Sequence, residues 1–184
     1  MEIHELKNFY KLMSPKLTVL VTTMDRSGKV DVSPFSFVTP LSFDPPLLGI
    51  SVGPNKHSYW SITQKKEFVV HVPTEELVEK IVIAGQNWDP ETSKLERAGL
   101  ETIPGTKVGP PILKDCPVSI ECYLEDTKKV GDHVLIIGRV VAINVKDEGM
   151  LDDEGRLKVD LVRPPLHVSE NVFAFPYVTK NIGE

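Results

Sequence analysis

The chain has 184 residues, with 21 Lys and Arg against 26 Asp and Glu, a formal net charge of −5, 41% hydrophobic residues and two cysteines. That length suits one domain, able to bury roughly 70% of the surface its unfolded chain would expose. Twelve glycines and 15 prolines are more than a helical bundle tolerates but short of the disordered range, and the acidic balance excludes a non-specific nucleic-acid binder and gives no attraction to an anionic membrane.

The start, Met1-Glu2-Ile3-His4-Glu5-Leu6, lacks the basic opening and apolar run of a signal peptide. No stretch approaches the ~18 consecutive apolar residues of a membrane helix. The expected location is the cytoplasm. Ile3, Leu6, Phe9 and Tyr10 recur at helical spacing and predict a helix ending before Ser14-Pro15. Its apolar stripe suits packing on the chain's own core or against a second copy. Leu17 to Thr23 is β-branched and apolar, a buried strand. The turn Asp25-Arg26-Ser27-Gly28 joins it to Val30–Ser33, which alternates with period two, so the two form a hairpin. A strand follows at Leu47–Val52, then a helix at His57–Lys66 and a strand at Glu67–Val72. Thr74-Glu75-Glu76 opens a helix to about Ala84, a hydroxyl for the cap and carboxylates for the positive end of the dipole. Two long strands, Val118–Glu125 and Val134–Val145, come late. The stretches 86–116 and 146–171, rich in Pro, Gly and charge, are excursions rather than linkers, and no repeat divides the chain. About six strands with few helices predict a mainly β fold, a closed or nearly closed antiparallel barrel spanning one domain, residues 1–184.

Cys116 and Cys122 stand six apart. In an extended segment of ~3.3 Å per residue they are about 20 Å from each other, beyond disulfide reach. Neither has a neighbouring His or a Cys-x-x-Cys partner, so they are expected to be free thiols in a reducing compartment.

The stretch Gly49 to Ser58 carries the most chemistry. A strand ends in Gly53-Pro54-Asn55 and a helix begins with Lys56, His57 and Ser58. Backbone amides and the positive dipole end at such a start, with added donors and charge, suit a phosphate. The alternative is that Asn55 caps the helix while Lys56 and His57 are solvated. Neither a P-loop nor Gly-x-Gly-x-x-Gly is present. In the second piece, Asp31 to Phe37, Pro34 removes an amide donor and breaks ordinary pairing, with Asp31, Ser33 and Ser36 beside Phe35 and Phe37. Such a segment can hold a flat, heteroatom-rich ring; the plain alternative is an edge strand with its phenylalanines in the core. The five histidines (4, 57, 71, 133, 167) have no metal-ligand spacing, and no Gly-x-Ser-x-Gly elbow exists, so neither metal hydrolysis nor a serine hydrolase is expected.

Taken in order, Thr22-Thr23, Gly28-Lys29-Val30, Pro34-Phe35-Ser36, Asp44-Pro45-Pro46-Leu47, Ser51 with Gly53-Pro54 and Lys56-His57-Ser58, Glu67-Phe68-Val69-Val70, and Gly131-Asp132-His133 with Gly138 and Val140-Val141 resemble the flavin-reductase-like family of FMN-binding split barrels, which includes the flavoredoxins. The likeness runs from about residue 15 to 145, with a looser match at Pro165-Leu166-His167. It implies a six-stranded antiparallel split β-barrel with a few peripheral helices. It also implies a homodimer with FMN, rather than FAD, near the subunit interface. Asp31, Val32, Ser33, Phe35 and Ser36 would line the isoalloxazine edge, Ser51, Lys56, His57 and Ser58 would hold the phosphate, and His133 would lie on the flavin or nicotinamide side as the catalytic residue. Asp31, His71 and Arg139 depart from residues frequent in the family (Asn, Asn and Glu). An ionised Asp31 accepts but cannot donate, and its charge disfavours a reduced flavin anion. The implied activity is hydride transfer from NADH or NADPH to flavin N5, with an acceptor that the sequence does not name. The rivals are a flavin-binding electron carrier serving a redox partner protein, and a flavin-independent β-barrel binding module.

Overall fold

The computed structural model describes residues 5–89, 91–180 and Ile182. After a short 3-10 turn, α1 (Phe9–Leu12) leads into β1 (Lys16–Leu17), β2 (Val19–Met24), β3 (Val30–Phe35), β4 (Val38–Ser42) and β5 (Leu47–Val52). Next come α2 (His57–Lys65), β6 (Glu67–Val72), α3 (Val78–Gly85), α4 (Lys94–Ala98), β7 (Thr102–Ile103) and β8 (Ile112–Leu113). The long ribbon β9 (Val118–Val130) and β10 (His133–Val145), then α5 (Val159–Val162), β11 (Leu166–Ser169) and β12 (Val172–Ala174), complete the chain. None of the described helices is long and apolar enough to cross a membrane.

The main sheet is antiparallel and runs β3-β2-β6-β9-β10-β5-β4. It has seven strands rather than six. The added one is β4, whose Pro40 and exposed positions carry no strand signal. The order itself forces closure. β3 and β4 are the two edges, yet only Ser36 and Phe37 separate them. Three Cα steps span at most about 11 Å, whereas a flat seven-stranded sheet would hold its edges about 29 Å apart. The sheet therefore curls into a barrel, and because no ladder joins β3 to β4 it stays split along that seam.

Alternation sorts the strand residues between two faces. Val19, Val21, Ile50, Val52, Phe68, Val70, Cys122 and Ile136 form one core, sealed by Ile62 of α2. Leu20 and Val32 face the other way, onto Leu77, Ile81 and Ala84 around α3, Ala98 of α4, and Leu113. Gly138 on β10 sits where any Cβ would overlap the Phe68 ring, so the first core needs glycine there. The 86–116 excursion thus roofs the second face. Cys116 and Cys122 are free and lie in different cores, and burial pushes both thiols up to about 12, which makes them inert.

Three expectations are altered. The strand anticipated over 17–23 is broken at Thr18: β1 leaves the main sheet to pair with β11, and β2 alone joins the barrel. The N-terminal segment is two short turns whose Leu6 and Phe9 are exposed, so only Tyr10 of the stripe meets its own barrel, edge-on at Phe37; Ile3 lies outside the described residues. Thr74 stands at the cap position, but its hydroxyl makes no cap hydrogen bond.

Candidate functional site

A cavity of about 580 Å3 opens at the barrel seam. Four parts of the chain build it: β3 with the Ser36-Phe37 connection, the end of β5 running into α2, the segment after α3, and the start of β10. Pro34 explains why β3 ends the sheet here, since a residue without an N–H cannot pass the ladder outward. At the opposite wall Lys56 is the N-cap of α2, and no side chain caps it. Asn55 makes no cap bond, so the alternative in which it caps this helix is not realised. Lys56, His57 and Ser58 all line the cavity, where the positive end of a nine-residue helix meets a cation and two further donors.

Asp31 lies at the floor, its side chain 12% exposed. Lys94 Nζ comes within 3.1 Å of Asp31 Oδ1 and donates to Ser33 Oγ at 3.1 Å. The Ser33 hydroxyl donates to Asp31 Oδ2 at 3.1 Å, and His57 Nδ1 stands 3.9 Å from the same oxygen. The negative charge that disfavours an electron-rich ligand is therefore matched by a cation on the spot. At the rim, His133 Nδ1 is 2.7 Å from Asp132 Oδ1 and its ring lies 6.1 Å from that of Phe37. The carboxylate fixes the hydrogen on Nδ1, so Nε2 is the ring atom left for another partner.

Of the residues singled out from the sequence, Asp31, Ser33, Phe35, Ser36, Ser51, Lys56, His57, Ser58 and His133 all line this cavity. Val32 does not: fully buried, it packs in the second core and can offer the site only its backbone. Sequence reasoning missed the wall formed after α3, in particular Trp88 and Lys94. Trp88 is held by its indole N–H donating to the Ile83 carbonyl at 2.9 Å and by the Arg97 guanidinium 5.4 Å over its ring. The signal for Lys94 is a capping box, Ser93-x-x-Glu96, closed by Gly99: the Ser93 hydroxyl accepts from the Glu96 amide, and Gly99 adopts the left-handed C-cap.

The other two departures are structural. His71 is wholly buried, its Nε2 accepting from the Leu113 amide at 3.0 Å and its Nδ1–H donating to the Leu20 carbonyl at 3.1 Å. Burial lowers its pKa to about 4 against a smaller opposing pull from the Leu20 carbonyl, so the ring is a neutral strut. Arg139 forms a two-pronged pair with Glu125 across β9 and β10, at 2.8 and 2.7 Å.

Comparison with known proteins agrees with this fold. Residues 13–159 match the family model described as a flavin reductase like domain. An uncharacterized protein of Pyrococcus abyssi is 35% identical over 164 residues, covering 89% of this chain and 92% of its own. Among solved structures, nitrilotriacetate monooxygenase component B from Bacillus cereus superposes with a TM-score of 0.87 at 26% identity, over 99% of this chain and 98% of that one. An FMN-binding protein from Thermus thermophilus, solved with 1-cyclohex-2-enone, gives 0.84 at 26% identity, over 98% and 97%.

Proposed function

Because the chain belongs to the flavin reductase-like family, we propose that the seam cavity binds FMN and that the protein is an NAD(P)H-dependent oxidoreductase passing electrons to a further acceptor. The observation that carries this reading is a single cavity joining an uncapped helix start with Lys56, His57 and Ser58 to the proline-broken Asp31–Ser36 segment. The donor set fits the group: cations, hydroxyls and helix amides for a phosphate at one end, and Phe35 and Phe37 beside backbone donors for a flat ring at the other. The 580 Å3 volume falls within the usual range for cofactor sites. The FMN-binding Thermus relative favours FMN over FAD.

Bound there, FMN would supply a flavin N5 that accepts hydride from NADH or NADPH. The chain's own part is positional. Lys56, His57 and Ser58, with Ser51 behind them, anchor the phosphate. The Asp31–Lys94 pair keeps the ring end close to neutral. His133, its tautomer fixed by Asp132, presents Nε2 at the mouth where a donor would enter. No protein acid or base is needed for hydride transfer, so orientation and local charge are the protein's levers. We extend the reading to a homodimer joined at this rim. Its support is a run of rings, Phe9 to Tyr10 at 6.5 Å, Tyr10 to Phe37 at 6.3 Å and Phe37 to His133 at 6.1 Å, that carries the exposed N-terminal turns to the cavity mouth.

Titration of the apo-protein with FMN, followed by flavin fluorescence, tests the cofactor. The expected result is saturable binding, weakened about tenfold or more by Lys56→Ala through loss of one charge-assisted phosphate contact; no binding would refute the reading. Anaerobic mixing with NADH and with NADPH then tests the activity. Bleaching by either donor is expected, and a flavin that stays oxidised with both would make the protein an electron carrier instead.

A further inference from the structure

Thr18 sits where the chain changes sheets, the one residue between β1 and β2. Its amide donates to the Pro165 carbonyl at 2.9 Å, but its hydroxyl, on a residue only 3% exposed, has no partner among the described residues. His167, on β11, shows the same defect. Its Nε2 lies 3.1 Å from the Glu170 carbonyl; a carbonyl only accepts, so Nε2 carries the hydrogen and Nδ1 of the neutral ring is an acceptor. That Nδ1 is buried and likewise unpaired. Of the three buried side-chain polar atoms left unpaired among the described residues, two belong to residues that line one cavity. Leaving a buried polar atom unpaired costs on the order of 1–3 kcal/mol, so two at one place point to a ligand that pairs them.

The cavity has a volume of about 280 Å3 and is distinct from the cofactor cavity, although Pro34, Phe35, Ser36, Gly85 and Gln86 form a wall common to both. Phe35, Ile81, Val82 and Phe173 give it apolar sides, and the His167 ring lies 5.7 Å from that of Phe173. A dry cavity of ~150 Å3 already holds benzene, so this one has room for a substituted single ring. Glu170 supplies its charged lining, with that residue exposed and its carbonyl engaged by His167. Nothing there compensates a buried anion, and a neutral ligand is selected.

We propose that this second cavity is a binding site for a small neutral single-ring molecule bearing a hydroxyl group, which donates to His167 Nδ1 and accepts from the Thr18 hydroxyl. The site stands on its own cavity; only its position next to a flavin rests on the function proposed above.

The test uses the full chain without cofactor, titrated with phenol and with toluene, its isostere lacking the hydroxyl, and followed by amide NMR. Phenol is expected to shift the amides of Thr18, Ile81 and His167, which line this cavity and not the other, and to bind at least about tenfold more tightly than toluene, because a site built for a hydroxyl rejects the analogue without one. Thr18→Val should abolish that preference while leaving the thermal midpoint unchanged or higher, since an unpaired buried hydroxyl is removed, and Thr18→Ser should retain the preference. Equal affinities in the wild type, no binding, or shifts confined to the Asp31–Lys56 cavity would overturn the proposal. So would a lower midpoint in Thr18→Val with the preference intact, which would mark the hydroxyl as bonded to an ordered water for structure alone. A separate FMN titration keeps this outcome apart from the fate of the flavin reading.

Discussion

Asp31 and Lys94 are separated by 63 residues in the chain and by 3.1 Å in the fold. Both side chains are largely enclosed, so removing one partner leaves a poorly solvated charge, whereas removing both does not. Lys94→Ala is therefore expected to weaken FMN binding by about tenfold or more, and Asp31→Asn in the same chain to restore most of the loss. Unchanged affinity in the single variant would show that Asp31 does not face the cofactor. His71 makes a prediction of the opposite kind, about stability. Its folded pKa, about 4, lies below the ordinary 6.5, so between those values the unfolded chain takes up a proton that the folded one refuses. Its contribution is complete above pH 6.5 and is lost as pH falls towards 4, by on the order of 3 kcal/mol. Urea unfolding at pH 7 and pH 4.5 should show that drop, and His71→Asn should flatten this part of the profile.

At the scale of elements, the loop following β7 is held by one carboxylate. Glu121, buried near the start of β9, accepts from the backbone amides of Thr106, Lys107 and Val108, from the Thr106 hydroxyl and from the Asn144 amide. Burial alone would raise its pKa; the donors together overcome that and bring it to about 2. Glu121→Leu strands three amides and is expected to destabilise the fold by on the order of 3 kcal/mol, with hydrogen exchange rising first at residues 106–108. A cost within error of zero would mean that water replaces the carboxylate freely. Such ties explain what could be read in advance. The hairpin β2–β3, the ribbon β9–β10 and the helix at His57 rest on local period and turn chemistry, and all three were legible, although β2 starts two residues later than expected and β9 runs on past Glu125 to Val130. The turn into α2 at Lys56 was legible for the same reason. β4 was not, because an edge strand with Pro40 and exposed Thr39 and Leu41 has no buried face to impose alternation. Lys94 was not, because its meaning lies in a partner that only the tertiary fold brings near. Its short helix was nonetheless marked by Ser93, Glu96 and Gly99.

On the scale of the whole molecule, Phe9, Leu12 and Phe43 remain 62%, 81% and 96% exposed. Phe9 and Leu12 lie on the N-terminal turn that Tyr10 ties to Phe37, and they are the side chains that the proposed dimer would cover. Sedimentation velocity should give a dimer, and Phe9→Glu is expected to shift it towards monomer and to loosen FMN binding with it; a monomeric wild type would end the dimer proposal. The seam carries one more consequence. Each of the two free edges of the barrel contains a proline, Pro34 on β3 and Pro40 on β4. An edge lacking a donor is a poor template for a foreign strand. The break that makes room for a ligand in the folded barrel also guards it against stacking edge to edge with its own copies at the high concentrations of a crowded cell, so the chain can keep an open sheet without becoming the seed of a fibre.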